Sequence, residues 1–447
     1  MKKIAILGGG ESGTGAAVLA KDKGFDVFLS DTGNLAPKYR EILDREQIAY
    51  ESGTPHTESR VLSADIIIKS PGIPPTAPII VRAMEAGIPV LSEIEFAGRY
   101  TDAKMLCISG SNGKTTTTTL LHHILTHAGL DASMAGNVGD SLAMQVARDP
   151  HDIYVVELSS FQLDNMYDFR ADIAILMNIT PDHLDRYDHR MELYADSKLR
   201  ITRNQRATDA FIYWQEDPVS MQTIERTDIG ATRLPFGVKR TLESAAWLEG
   251  DVMQIATSGS AWSMPRAEMS LKGLHNLYNS MAAAIAATRM GVEPKLIREA
   301  LASFKAVEHR LEHVAEIDGV QYINDSKATN VASTYYALES MTRPTVLILG
   351  GTDKGNDYTE ILTFMKQKVR SVVAMGADNR KIVDFCRTHG FEVADTSSLA
   401  DALQACRAAA RPGDTVLLSP CGASFDLFKS SIDRGQRFKE AVLAQLP

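Results

Sequence analysis

KMLCISGSNGKTTTTTLL, residues 104 to 121, decides how the chain is read. A short apolar run enters a turn carrying Gly110, Ser111, Asn112 and Gly113, and Lys114 opens a stretch in which Thr115 to Thr119 follow one another. A buried strand feeding a glycine-rich loop and then a helix is how α/β proteins cradle phosphate. Loop amides converge at the helix N-terminus, the lysine neutralises β/γ-phosphate charge, and Thr115 or Thr116 reaches a magnesium ion. The long Walker A spacing fails, because Ile108 stands where its first glycine belongs, so the cradle is a shorter one. β-Branching costs side-chain rotamer freedom in a helix, so a threonine run is a poor helix start for stability alone. ATP is the reading favoured over a structural turn.

Outward from that loop the same alternation recurs. KIAIL (3–7), FDVFLSD, DIIIKSPGI and IPVLSE read as strands, with helical periodicity from Ser12 to Lys23, and this doubly wound unit ends near Ile94. DIYVVELSS, DIAILMNIT and DAFIYW continue the second unit as buried central strands. Residues 227–266 read as antiparallel or looped. NSMAAAIAATRM and EPKLIREALASF read as helices, closing the unit near Phe304. VQYIND, TVLILGG, SVVAMG and DTVLLSP repeat the pattern in a third. The expected domains are therefore 1–94, 95–304 and 305–447.

Charge and cysteines narrow the function classes. A formal net charge of -9 over 447 residues disfavours a nucleic-acid or anionic-membrane binder. Cys107, Cys386, Cys406 and Cys421 form no C-x-x-C pair, which fits a reducing, cytoplasmic setting. MKKIAILGGG is too short for a signal peptide, and no stretch approaches the roughly 20 apolar residues of a bilayer span.

Several other patterns carry chemistry. Gly8-Gly9-Gly10-Glu11-Ser12-Gly13, with Asp31 ending the next strand, suits a dinucleotide or a nucleotide-sugar diphosphate equally. Glu157 closes an apolar strand, and NITPDHLDRYDHR after the next one gathers Asn178, Asp182, His183, Asp185, Arg186 and Asp188; two such loops on strand ends point to a metal. Lys198 reads as a surface lysine paired with an acid. In GLHNLYN (273–279), Asn276 and Asn279 share a helical face and suit an adenine edge, while helix capping by Asn276 explains the residue as well. Arg310, then Asp325, Lys327, Thr329 and Asn330 in NDSKATN, then Lys354 and Ser424, supply donors for a small acidic molecule. His123 and His127 read as an exposed helical pair.

GSNGKTT, ELSSFQL, NITPDHLDRY, GLHNLYN, His309-Arg310, NDSKATN and LSPCGASFD occur in the order seen in Mur ligases, and the chain resembles that family over nearly its whole length. The resemblance implies three consecutive α/β domains: a Rossmann-like N-terminal domain for a UDP substrate, a P-loop-type central ATPase domain, and a Rossmann-like C-terminal domain for an amino acid. It is greatest to the member that adds D-glutamate to UDP-N-acetylmuramoyl-L-alanine in peptidoglycan synthesis. In that reaction ATP phosphorylates the sugar-linked carboxylate and the amine attacks the acyl phosphate.

The implied cofactors are ATP and Mg2+. Carried over, Gly110, Ser111, Asn112, Gly113, Lys114, Thr115, Thr116, Asn276, Asn279, Arg310 and Asp325 take ATP; Thr115, Glu157, His183 and Lys198 form the metal position, with Lys198 matching the lysine that the family carbamylates. Ser12, Gly13, Asp31, Thr32, Ser70, Gly72 and Asn137 surround the nucleotide sugar, and Lys327, Thr329, Lys354 and Ser424 hold D-glutamate. A monomer is expected. Ser111 in place of threonine, the CGASFDLF run and Ser431 depart from the common pattern and bear on amino-acid specificity. A folylpolyglutamate-synthase-like ligase, an ATP-sensing switch and a nicotinamide oxidoreductase are the competing readings; the first 94 residues count against the first of these.

Overall fold

Five parallel strands build the first sheet: β1 (Lys3–Leu7), β2 (Asp26–Asp31), β3 (Ala49–Ser52), β4 (Ile66–Lys69) and β5 (Val90–Leu91), in the order β3-β2-β1-β4-β5. Ile4, Ile6, Leu7, Ile67 and Ile68 are buried, as strands covered on both faces require, and burying each contributes about 1.5–3 kcal/mol. Strand order reverses between β1 and β4, the switch point where such sheets open a crevice. There Gly8 (φ +94°) follows β1, and a Cβ on it would sit 2.3 Å from Oγ of Ser70. The Asp31 carboxylate accepts from the amides of Gly9 (2.6 Å) and Gly33 (2.7 Å), holding both glycine turns in place.

The second sheet contains β6 (Lys104–Ser109), β7 (Ala132–Gly136), β8 (Ile153–Glu157), β9 (Ile173–Leu176), β10 (Ala210–Trp214), β11 (Thr232–Phe236), β12 (Ala246–Glu249), β13 (Val252–Thr257) and β14 (Ser260–Pro265). Their order is β14-β13-β12-β11-β10-β9-β6-β8-β7, which places β6 between β8 and β9. The region expected to be antiparallel or looped is so only in part: β12, β13 and β14 form an antiparallel meander, whereas β11 pairs in parallel with β10 and extends the parallel sheet.

The third sheet has β15 (Glu312–Ile317), β16 (Val320–Asn324), β17 (Thr345–Gly350), β18 (Val369–Met375), β19 (Val393–Thr396) and β20 (Thr415–Cys421), ordered β15-β16-β20-β17-β18-β19. Only β15 runs antiparallel among these. β16 and β20 are neighbours, so NDSKATN and PCGAS leave the sheet side by side.

This computed structural model describes every residue except Ser258, Ala306, Lys354 and Pro447. Lys354, expected at the D-glutamate position, therefore lies outside the described residues. The first two sheets belong to one compact unit, Met1–Met269 with Tyr278–Ser303; Ser270–Leu277 and the chain from Phe304 form the other. All four cysteines are buried and free. Among the described residues no helix is long and apolar enough to cross a membrane.

Candidate active site

The phosphate loop takes its shape from left-handed glycines. Gly113 caps the helix Lys114–His127 at φ +85°, and a Cβ there would lie 2.5 Å from Oδ1 of Asn279. Gly110, at φ +143°, turns the chain out of β6. The loop is then clamped by the segment after β9. Asn178 Oδ1 accepts from the Asn112 amide at 2.9 Å while its Nδ2 donates to the Asn112 carbonyl at 3.1 Å. Ser111 Oγ donates to the Thr180 carbonyl and accepts from the Thr180 amide, both at 2.9 Å. Asn178, grouped with the metal loop in the sequence, thus acts on the cradle itself. The threonine run is used as packing: Thr115 to Thr118 are buried, and Thr117 Oγ1 donates to Asn279 Oδ1 at 3.2 Å.

Both site lysines end on this loop. Lys114 Nζ donates to the carbonyls of Gly110 (2.8 Å) and Ser111 (2.9 Å), and Lys198 Nζ donates to Gly110 at 2.8 Å. The expectation of a surface lysine at 198 is wrong: the residue is 2% exposed. The helix Met191–Leu199 turns Tyr194 and Lys198, one turn apart, toward the loop, with the Lys198 nitrogen 4.5 Å from the Tyr194 ring centroid. Burial, then repulsion from Lys114, holds the Lys198 amine well below its usual pKa, against the opposing pull of Asp182, Asp164 and Glu157.

Glu157 ends β8 between β6 and β7, paired in register with Ile108 and Gly136. It is 5% exposed, and its buried Oε2 has no hydrogen-bond partner. A bare carboxylate oxygen in such a place is costly unless a cation takes it. The Asn137 amide donates to the Glu157 carbonyl at 3.0 Å, which puts the GNVG turn alongside. Ser159 and Gln162 of ELSSFQL form a reciprocal capping box, so this motif starts the short helix after Glu157. His183, at φ +53°, is half-exposed; its Nε2 is 3.6 Å from Asp182 Oδ2 and its ring packs on Phe161. No three His, Cys, Asp or Glu side chains converge as a metal cluster among the described residues. Glu157 is the group whose unmet bonding fits a cation.

In the second unit, Asp325 at the end of β16 accepts from Ser419 Oγ (2.8 Å) and the Leu311 amide (3.3 Å). Burial pushes its pKa up to about 7 against those hydrogen bonds and the charge of Arg310. Arg310 also faces His275, whose pKa burial and that charge lower to about 4. Lys327 and Thr329 lie on the turn between Asp325 and the helix Val331–Ser340, which Asn330 caps through Ser333 at 2.9 Å. Ser424 is buried in the turn after β20. Asn276 Nδ2 donates to the Lys272 carbonyl at 2.9 Å and belongs with the second unit, whereas Asn279 belongs with the first.

Sequence reasoning missed Tyr194, whose hydroxyl is 3.2 Å from Ser111 Oγ, and Arg434. Arg434, 1% exposed, donates to Ser326 Oγ (3.0 Å), the Ser326 carbonyl (2.8 Å) and the Gly422 carbonyl (3.1 Å), tying together the two turns that carry Lys327 and Ser424. Tyr194 was findable as the residue four before Lys198. Arg434 had no local signal.

Residues 2–92 match the Mur ligase MurD-like N-terminal domain, 108–287 the Mur ligase middle domain, and 309–422 the Mur ligase glutamate ligase domain. The chain is 56% identical over 443 residues to a UDP-N-acetylmuramoylalanine--D-glutamate ligase of Bacteroides fragilis, covering 99% of each. It is 56% identical over 442 residues to the enzyme of that name from Porphyromonas gingivalis, covering 98% of each. The UDP-N-acetylmuramate-alanine ligase of Thermotoga maritima superposes with a TM-score of 0.64 over 100% of both chains at 20% identity, a likeness of fold.

Proposed function

The chain belongs to the Mur ligase family, and from that premise we infer that it is an ATP-dependent ligase joining D-glutamate to UDP-N-acetylmuramoyl-L-alanine in peptidoglycan synthesis. The observation that carries the chemistry is the Lys114 cation held on the Gly110 and Ser111 carbonyls, in a site that also holds the buried Lys198 and Glu157 with its unpartnered oxygen. Phosphorylating a carboxylate brings one anion against another, and preorganised positive charge is what lowers that barrier.

Lys114 is held by its own loop carbonyls and turns from them to the β/γ-phosphates when ATP fills the Gly110–Thr116 cradle. Asn276, Asn279, Arg310 and Asp325 complete the nucleotide contacts. In this reading Ser12, Gly13, Asp31, Thr32, Ser70, Gly72 and Asn137 hold the UDP sugar, with its diphosphate over the β1/β4 crevice, and the first glycine motif serves a nucleotide sugar. Lys327, Thr329, Lys354 and Ser424 take the carboxylates of D-glutamate by charge-assisted hydrogen bonds. Thr115, Glu157, His183 and a carbamylated Lys198 would hold Mg2+, which when bound neutralises the phosphate oxygens. The sugar-linked carboxylate attacks the γ-phosphorus and ADP leaves; the amine then displaces orthophosphate from the acyl phosphate, giving the amide. The protein is assigned to the cytoplasm as a monomer.

Coupled ADP production across a panel of amino acids tests the reading. Release is expected only with UDP-N-acetylmuramoyl-L-alanine and D-glutamate together, and 18O from the sugar-linked acid should appear in orthophosphate. Equal release with L-lysine or diaminopimelate would move the chain to a sister reaction. Release without any amino acid would leave an ATP switch.

A further inference from the structure

A cavity of about 850 Å3 lies within the first unit, walled on one side by the helix Pro78–Glu85 and β5 and on the other by the helix Met191–Leu199. Ile80, Met84, Leu91, Phe161, Tyr187 and Leu193 make most of it apolar. Among the described residues, none of those assigned above to ATP, metal, UDP sugar or D-glutamate lines it.

Two cations in this wall make no ion pair among the described residues, although Asp164, Asp188 and Asp196 also line it. Lys69 is 4% exposed and donates to the Ile73 carbonyl at 3.0 Å. The Arg186 guanidinium lies 4.4 Å from the Phe161 ring centroid, gives Nη2 to the Pro71 carbonyl at 3.4 Å, and keeps a buried Nε without a partner. The wall acid Asp164 is occupied by the hydroxyls of Tyr187 (2.9 Å) and Ser197 (2.7 Å). The other wall bases are committed, Arg99 to Glu95 and Arg200 to the carbonyls of Leu163 and Met166. Lys69 shows the strain: burial, then Arg186, lowers its pKa to about 8 although Asp164 opposes this. Buried cationic donors that make no ion pair, beside apolar wall, are a costly arrangement that an anion with an apolar body relieves on both counts.

We propose that this cavity binds a small organic anion with an apolar body, of the aryl or alkyl carboxylate or phosphate class, and that its occupancy loosens the Ser70–Ile73 turn. Lys69 and Arg186 now donate to carbonyls of that turn. An anion in the cavity competes for those donors, and the turn loses its two charged anchors. The second half rests on the assignment of Ser70 and Gly72 to the UDP sugar: the KM for the nucleotide sugar rises, while the KM for ATP stays.

Fluorescence titration of the full chain with 8-anilinonaphthalene-1-sulfonate tests the binding. One saturable site per chain is expected, at least tenfold weaker after Lys69→Met with Arg186→Met, and lost in Leu193→Trp, which fills the cavity. Ile80→Trp serves the same end if Leu193→Trp does not fold. The neutral N-phenyl-1-naphthylamine should bind at least tenfold more weakly. Equal binding of the neutral and charged probes, or undiminished binding in a folded tryptophan variant, overturns the site. In the kinetic arm the sulfonate should raise the nucleotide-sugar KM of the wild type and not of Leu193→Trp. Binding without a KM change overturns the loosening alone, and an enzyme inactive with no probe present overturns the ligase reading instead.

Discussion

Lys114 and Lys198 share one acceptor: each side-chain nitrogen lies 2.8 Å from the carbonyl oxygen of Gly110. Two positive charges meeting on one acceptor are unfavourable, and the cost falls on the more buried of the two, whose pKa is lowered well below the usual lysine value. Burial and the Lys114 charge therefore both favour the neutral amine of Lys198, the form with a lone pair.

Such an amine adds to CO2. The Nζ lone pair forms a bond to carbon, one proton leaves to solvent, and the neutral amine becomes a carbamate anion. Protein equilibrated with 13C-bicarbonate should give one carbamate carbon resonance that Lys198→Arg removes, and stripping CO2 should lower turnover about tenfold or more until bicarbonate is restored. No resonance in active enzyme would leave Lys198 as a plain amine.

In the proposed function Lys114 carries the charge that meets the phosphates. Lys114→Ala should lower kcat by about 10²–10³-fold, the scale for losing one preorganised electrostatic contact. Lys114→Arg should recover little, because a planar fork cannot reach the Gly110 and Ser111 carbonyls and the phosphates from the same stem. Unchanged turnover in Lys114→Ala would remove the loop from catalysis.

Much of this was legible in the sequence. Central strands such as KIAIL and DTVLLSP are buried on both faces and announce themselves as unbroken apolar runs. β3 (AYES), β7 (ASMAG) and β19 (VADT) were not seen, because each is a sheet edge with half-exposed residues and no apolar run to read. Glu157 was readable as an acid closing an apolar strand. Lys198 was not, since its burial comes from the helix packing against a loop 88 residues away in sequence. Asn279 was placed on the right helix, yet its side chain accepts from Thr117, a contact no local pattern encodes.

Arg434 should act on D-glutamate without touching it. Its fork spans the Ser326 and Gly422 turns, and lysine, with one nitrogen, reaches one of them. Arg434→Lys should raise the KM for D-glutamate about tenfold or more, the effect of about 1.4 kcal/mol, and leave the KM for the nucleotide sugar within about twofold. Equal rises in both would mean general loss of fold rather than a displaced amino-acid turn.

Glu93 supplies a pH-dependent term in stability. Its Oε1 accepts from Ser141 Oγ (2.7 Å) and the Ala143 amide (2.6 Å), fastening the helix Leu142–Arg148 beside the GNVG turn. Burial pushes its pKa up to about 7 from an ordinary 4.5, against those two hydrogen bonds. A raised pKa means the folded state keeps a proton that the unfolded chain has lost. The contribution is complete below about pH 4.5 and is lost as pH rises through about 7, amounting to roughly 3 kcal/mol. Asp325 behaves alike in the second unit, whereas Trp214, Trp247 and Trp262 all belong to the first, so tryptophan fluorescence reports on the unit of Glu93 and the comparison with Glu93→Gln singles it out from Asp217 and the other groups there. The urea midpoint read this way should fall between pH 5 and pH 8 in the wild type and change much less in Glu93→Gln, which keeps the shape and cannot ionise. The same slope in both proteins would place the titrating group elsewhere.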